Sequence, residues 1–269
     1  MAIQKARSYG MGMVAVRNSS HYGFAGYYPL MAVREKMIGI TGTNARPSVA
    51  PTFGVENMLG TNPLTFGIPT DEPFPFLLDC ATSITQRGKV ELYARKGEKL
   101  PKGWVVNGSG ESETDSRQVL RELISDQVAL VPLGGIGEET GGYKGYGYAT
   151  VVEILSSALQ QGAFMKMISG IADGKKVPYS VGHFFIALDI SAFTEPDDFR
   201  RIAGDILRDL RKSKKIPGQS RIYTAGEKEH DTWMFRKDKG IPFSPELLEE
   251  YRGLCRDYRL DEYTGEFKA

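Results

Sequence analysis

The chain of 269 residues has only two cysteines and three histidines. Cys80 and Cys255 lie far apart, so they offer neither a metal-ligand spacing nor a disulfide framework, and no metal site is expected. Thiols outside a framework suit a reducing compartment, so a cytoplasmic location is expected. Charge of one sign is also missing: 34 Lys and Arg stand against 33 Asp and Glu, a net charge of +1. That balance gives nucleic acid no electrostatic footing as a partner. No apolar run reaches the roughly 20 residues a membrane-spanning helix needs. No signal-peptide pattern opens the sequence, and no membrane partner is expected. Internal repeats and low-complexity segments are absent. What remains is an ordinary globular balance, 41% hydrophobic and 25% charged, with enough apolar residues for a substantial core.

The apolar pattern predicts alternating strands and helices, hence a layered α/β architecture. Residues 1–9 read as the last turns of an amphipathic helix closed by Gly10. Met11 to Val16 reads as a strand, Ala25 to Lys36 as a helix and Ile38 to Thr43 as the next strand. A turn and strand are expected over residues 60–69, another strand over 74–78 and a helix over 85–95. Residues 96–116, rich in Gly, Lys, Ser and Glu, read as a surface excursion. Residues 117–125 read as a short helix. An apolar helix is expected from Tyr148 to Leu159 and a buried strand over 182–189. An amphipathic helix over 197–212 would turn Phe199, Ile202, Ala203, Ile206, Leu207 and Leu210 to one side, capped by Thr194. A last helix is expected over 245–258.

Three stretches carry side chains suited to chemistry. Arg17-Asn18-Ser19-Ser20-His21-Tyr22-Gly23 falls between a strand and a helix, where folds present reactive groups. Imidazole exchanges protons near neutral pH, and Asn18, Ser19 and Ser20 could orient it or bind a polar substrate. Alone, His21 reads first as a structural or surface histidine. The glycine-rich residues 134–147 precede a helix, a setting that favours an anion, with Lys144 adding charge. Their spacing fits neither the G-x-G-x-x-G fingerprint nor the Walker loop, and a flexible loop is the competing reading. Asp79-Cys80-Ala81-Thr82-Ser83 ends a strand, where open α/β sheets bind ligands, although such residues also cap helices. Cys80 reads as a packing residue rather than a nucleophile. His183, flanked by Phe184 and Phe185, reads as a satisfied core histidine, and His230 carries little signal.

Together these stretches resemble the malate/L-lactate dehydrogenase type 2 family. Residues 17–23 resemble its V-R-N-S-x-H-F/Y-G motif. Gly60-Thr61-Asn62-Pro63 resembles G-T-N-P, and residues 79–83 resemble D-x-A-T-S. Lys144-Gly145-Tyr146-Gly147 resembles K-G-Y-G, and Gly182-His183-Phe184-Phe185 resembles G-H-F-F. All five occur in the family's order and span nearly the whole chain. The extended loop over residues 135–142 is most similar to archaeal-type malate dehydrogenases. The resemblance implies a three-layer α/β/α fold around a mixed sheet, without a Rossmann fold, and a homodimer. It implies a cofactor-binding core over residues 1–190 and C-terminal helices over 191–269. It also implies hydride transfer between NAD or NADP and a small 2-hydroxy or 2-oxo acid, malate and oxaloacetate first.

By the same carry-over, His21 is the general base in oxidation and the acid in reduction. Thr43, Asn44 and Ala45 lie along the cofactor, and Asp79, Cys80, Ala81, Thr82, Ser83 and Gly88 line its pocket. Lys144 and Gly145 meet its phosphates or ribose. Ala225-Gly226-Glu227 matches a P-G-E turn, with Ala225 in place of proline. Family members carry an earlier segment with an S-H-G motif and an arginine that grips the substrate carboxylate; neither has a counterpart in this sequence. Arg17, Arg46 or Arg87 could substitute, and Arg17, Asn18 and Ser20 are expected at the substrate. Lactate, sulfolactate, ureidoglycolate or a cyclic imino acid are alternative substrates. A cofactor-binding or dimer-forming remnant without turnover is the non-enzyme alternative.

Overall fold

A computed structural model describes residues 1–263. Its centre is a five-stranded sheet in which glycines bring helices close. The strands are β1 (Met11–Ser19), β2 (Met37–Thr43), β3 (Leu64–Ile68), β4 (Phe76–Cys80) and β9 (Val181–Asp189). Their order is β1-β9-β2-β3-β4, and every neighbouring pair is antiparallel. Among the described residues, the parallel pairing is an isolated bridge from Val49 to Leu130. Gly12, Ala187, Gly39 and Gly67 face one another across four strands and so share one face. A Cβ on Gly12 would lie 2.2 Å from Ala2 O, and one on Gly39 would lie 2.6 Å from Pro29 Cα. This row of small residues lets α1 (Ala2–Tyr9) and α2 (Tyr27–Arg34) lie directly on the backbone. On β9, Gly182 is an odd number of residues from Ala187 and points to the opposite face. There a Cβ would lie 1.7 Å from Ser156 O of α5 (Gly142–Ser157). The sheet is therefore sandwiched between helices, which gives the three layers.

A second core fills residues 49–149. Between β4 and α5 run α3 (Arg87–Lys96), β5 (Val105–Asn107), α4 (Ser116–Glu122) and β6 (Val128–Leu130). Leu100, Val105, Val119, Leu130 and Val90 are buried together there, with Trp104 packed on them. The stretch 96–116 is thus not a surface excursion. Leu100, Val105 and Val106 turn inward, while its polar composition covers the outside. After α5, a small hairpin of β7 (Ile171–Ala172) and β8 (Lys175–Lys176) leads to β9.

α6 (Pro196–Lys212) begins with Glu195 at the cap and Pro196 in its first turn, so Thr194 is not the cap. Of its expected apolar face, Leu207 is buried, whereas Ile202, Ile206 and Leu210 are 52%, 56% and 53% exposed. The chain divides into units of residues Met1–Glu227 and Lys228–Ala269, and residue 190 falls inside the first. The second unit contains the rest of α7 (Glu227–Arg236) and all of α8 (Pro245–Tyr258). Among the described residues, no helix is long and apolar enough to cross a membrane.

Candidate active site

The loop that carries His21 starts from an irregular strand end. β1 continues past Val16, and its register with β9 shifts between Val16 and Ser19. Asn18 takes φ 55 in that bulge, a left-handed conformation asparagine tolerates better than most residues. The bulge turns the chain, and His183 holds the turn in place. The His183 ring is buried and stacks on Tyr22 with centroids 4.4 Å apart and planes 1° apart. Its Nε2 lies 3.1 Å from the Ser20 carbonyl, so Nε2 is the donor. Its Nδ1 lies 2.7 Å from Thr43 Oγ1 and accepts from that hydroxyl in the neutral ring. Burial holds the His183 pKa below its ordinary 6.5, which keeps the ring neutral at pH 7. His21 itself is exposed, and its Nδ1 accepts the Gly23 N–H at 3.1 Å, leaving Nε2 free.

His21 opens onto a cavity of about 990 Å³, at the large end of small-molecule sites. Thr43, Asn44 and Ala45 from the end of β2, and Asp79, Cys80, Ala81 and Ser83 from the end of β4, line the same cavity. Asp79 Oδ2 accepts the Gly26 N–H at 2.7 Å, and Oδ1 accepts from the Thr65 hydroxyl at 3.2 Å. It therefore supports the start of a helix remote in sequence as well as the strand end. Burial, reinforced by the Asp79 charge, pushes the Cys80 thiol up, which suits packing rather than nucleophilic attack. Burial likewise pushes the Tyr22 phenol up to about 12, so this cavity-lining ring stays un-ionised.

Other expected site residues lie outside the cavity lining. Thr82 is buried, and its hydroxyl donates to the carbonyls of Asn62 at 2.9 Å or Thr61 at 3.2 Å. Gly88 is exposed on α3. Lys144 and Gly145 belong to the first turn of α5, which starts at Gly142 rather than Tyr148. A Cβ on Gly145 would lie 2.2 Å from Leu133 O, so this glycine lets the helix back the cavity wall from behind. Ala225 accepts the Leu77 N–H at 3.2 Å, and Gly226 sits against Pro75 O. Glu227 is ion-paired with Arg221 and Arg211. That turn covers the free edge of β4.

The expected substrate contacts also need correction. Arg17 donates to Gln160 O at 3.2 Å, Asn18 forms the bulge, and Ser20 gives its carbonyl to His183. Of the three candidate arginines, Arg87 pairs with Glu91 at 2.9 Å, while Arg46 lines the cavity.

Motif reading missed several walls. Tyr22, Phe24, Trp104 and Tyr179 supply aromatic surface, and Lys89 supplies a second cation. Thr61 and Pro63, from the G-T-N-P stretch, complete one side. Tyr22 is adjacent to the His21 motif and was within reach, but Trp104 comes from the stretch read as surface. A nicotinamide dinucleotide fits this lining: aromatic faces suit its rings, and Lys89 suits its phosphates. Thr85 lines the same cavity, and its buried Oγ1 has no hydrogen-bond partner among the described residues, a polar atom left unsatisfied beside the site.

The sequence profile of a family described as malate/L-lactate dehydrogenase matches residues 1–252. A malate dehydrogenase of Pyrococcus abyssi is 45% identical over 256 residues, covering 95% of this chain and 68% of the relative. An L-sulfolactate dehydrogenase of Methanothermobacter thermautotrophicus is 34% identical over 261 residues, covering 97% and 70%. The crystal structure of malate dehydrogenase from Entamoeba histolytica superposes with a TM-score of 0.91 at 46% identity. It covers 96% of this chain and 72% of that one.

Proposed function

The chain belongs to the malate/L-lactate dehydrogenase family, and from that premise we propose that its cavity joins NAD or NADP to a small 2-hydroxy or 2-oxo acid, malate and oxaloacetate first. Both cofactors occur in the names of relatives. The observation that carries the reading is convergence. His21, the end of β2 and the end of β4 are far apart in sequence, yet they line one cavity. When bound, the cofactor supplies or takes the hydride; the chain's own residues handle position and proton. Aromatic walls offer faces for the cofactor rings, and Arg46 offers a guanidinium fork to a carboxylate.

His21 acts at Nε2. In the neutral ring the Gly23 contact places the hydrogen on Nε2, where it can hydrogen-bond to a 2-oxo oxygen. Giving up a proton in reduction requires the imidazolium, with hydrogen on both nitrogens and the Gly23 contact open. Taking a proton from a 2-hydroxyl at Nε2 requires the ring hydrogen on Nδ1, so the Gly23 contact then opens. Gly23 is exposed and has open space around it, which permits that movement.

The same site also suits sulfolactate, since the Arg46 guanidinium can donate to a sulfonate as readily as to a second carboxylate. The M. thermautotrophicus relative supports that second reading. The free thiols suit a cytoplasmic enzyme. The exposed apolar residues Tyr148, Val151 and Ile154 along α5 support a homodimer.

The test is NADH and NADPH absorbance at neutral pH with oxaloacetate, 3-sulfopyruvate, pyruvate and a cyclic imino acid offered in parallel. Turnover is expected, fastest with oxaloacetate. Cofactor binding without turnover of any acid would instead mark a binding remnant.

A further inference from the structure

We infer that Glu153 is a positioning residue for the cofactor-facing wall, at the centre of a hydrogen-bond network whose polarity admits only a carboxylate. The inference rests on reading the cavity as a cofactor site. Glu153 lies about one turn before the C-terminal end of α5 and is 3% exposed. Its Oε2 accepts from Asn62 Nδ2 at 2.8 Å. Its Oε1 accepts the Met165 N–H at 2.9 Å and, more weakly, Asn44 Nδ2 at 3.4 Å.

Neither asparagine can turn round. Asn62 Oδ1 accepts the Ala45 N–H at 3.1 Å, while its Nδ2 also donates to Ala149 O at 3.1 Å. Asn44 Oδ1 accepts the Gly182 N–H at 2.8 Å, while its Nδ2 also donates to Ala163 O at 3.1 Å. Flipping either amide would set N–H against N–H and oxygen against oxygen. Both are therefore committed to donate toward Glu153. Asn44 and Asn62 are 1% and 0% exposed, so water has little room to replace a lost partner.

This network ends at the cavity. Asn44 and Ala45 line it directly, and Thr61 and Pro63, which flank Asn62, line it as well. Glu153 is thus bound to both segments that form this side of the wall. A carboxamide of the same size has a single acceptor atom. Whichever way it turns, its own NH₂ meets a committed donor. Glu153→Gln should therefore displace the wall, even though shape and volume are kept.

The experiment is a double-mutant cycle on the full chain with Glu153→Gln, Asn62→Asp and both together. NADH and NADPH dissociation constants are read by fluorescence, with KM and kcat alongside. Amide hydrogen exchange over residues 43–48 is followed without cofactor. Glu153→Gln should weaken cofactor binding by about tenfold or more, the scale of a lost charged hydrogen bond. KM for the cofactor should rise more than kcat falls, and exchange over residues 43–48 should quicken. Asn62→Asp sets carboxylate against carboxylate. Adding Glu153→Gln relieves that contact, so the double variant should bind cofactor more tightly than Asn62→Asp alone. Unchanged affinity and exchange in Glu153→Gln, or losses that simply add in the double variant, would overturn the inference. If Glu153→Gln does not fold, the comparison of Asn62→Asp with the double variant decides. If the wild type binds neither NADH nor NADPH, the cofactor reading fails, while the exchange data still decide whether Glu153 holds the wall.

Discussion

His183→Phe separates what a buried ring contributes by shape from what it contributes by polarity. The phenyl ring keeps the parallel stack on Tyr22, so little packing is lost. Both polar contacts disappear. Thr43 Oγ1 still reaches Gly182 O at 3.0 Å and is not orphaned. The Ser20 carbonyl loses the imidazole N–H at 3.1 Å. Ser20 is exposed, so water can reach its carbonyl and the loss is the net worth of one hydrogen bond, about 0.5–1.5 kcal/mol. The thermal midpoint should fall by ~2–4 °C per kcal/mol for a protein of this size. The larger consequence concerns His21, the next residue. A displacement of about 1 Å at a proton-transfer group can cost on the order of 100-fold in rate, so kcat should fall by about 10- to 100-fold. Steady-state kinetics beside a thermal melt are the assay. A lowered midpoint with kcat within about twofold of wild type would refute the view that His183 holds the His21 turn.

The same ring sets a pH signature. Because its folded pKa lies below 6.5, the unfolded state binds more protons in that interval, so its contribution is full above pH 6.5 and is lost as pH falls through the folded pKa. Melts from pH 7 to pH 5 should show a shallower acid decline in His183→Phe than in the wild type. His21→Asn should lower kcat by about 10²- to 10⁴-fold with cofactor affinity near wild type; unchanged turnover in stopped-flow assays would move proton transfer to another group. Arg46→Met should raise substrate KM by about 10- to 100-fold, the scale of a charged hydrogen-bond pair; a rise in cofactor KM instead would assign the guanidinium to a phosphate. Val105→Ala should cost about 2–3 kcal/mol from two lost methyl groups and the cavity left behind, read from the thermal midpoint.

Wherever apolar spacing was regular, the fold was legible in the sequence. β2, β9 and α8 fall within a residue of their expected bounds, because each has a clear apolar run or a capping signal. Ser244, for example, accepts the Leu247 N–H at the start of α8. Motif order brought His21, Thr43 to Ala45 and Asp79 to Ala81 into one site. Three things escaped it. Composition disguised the 96–116 stretch, since a chain segment with few apolar residues can still bury its aliphatic side chains, here Leu100, Val105 and Val106. Glycines hid the first turn of α5, because Gly142 and Gly145 weaken a helix locally while allowing close packing on Gly135 and Leu133. Glu153 gave no signal, because a buried acid satisfied by asparagines and a backbone N–H looks in sequence like any surface glutamate.

The inward packing of residues 96–116 has a practical side for anyone remaking this protein. Judged by composition, that stretch invites a tag, a protease site or a transplanted loop. With Leu100 at 3% and Val105 at 0% exposure, an insertion there would pry open the second core and loosen Trp104, a wall of the cavity. The segment after α6, residues 213–220, is exposed throughout and is the better place to accept foreign sequence.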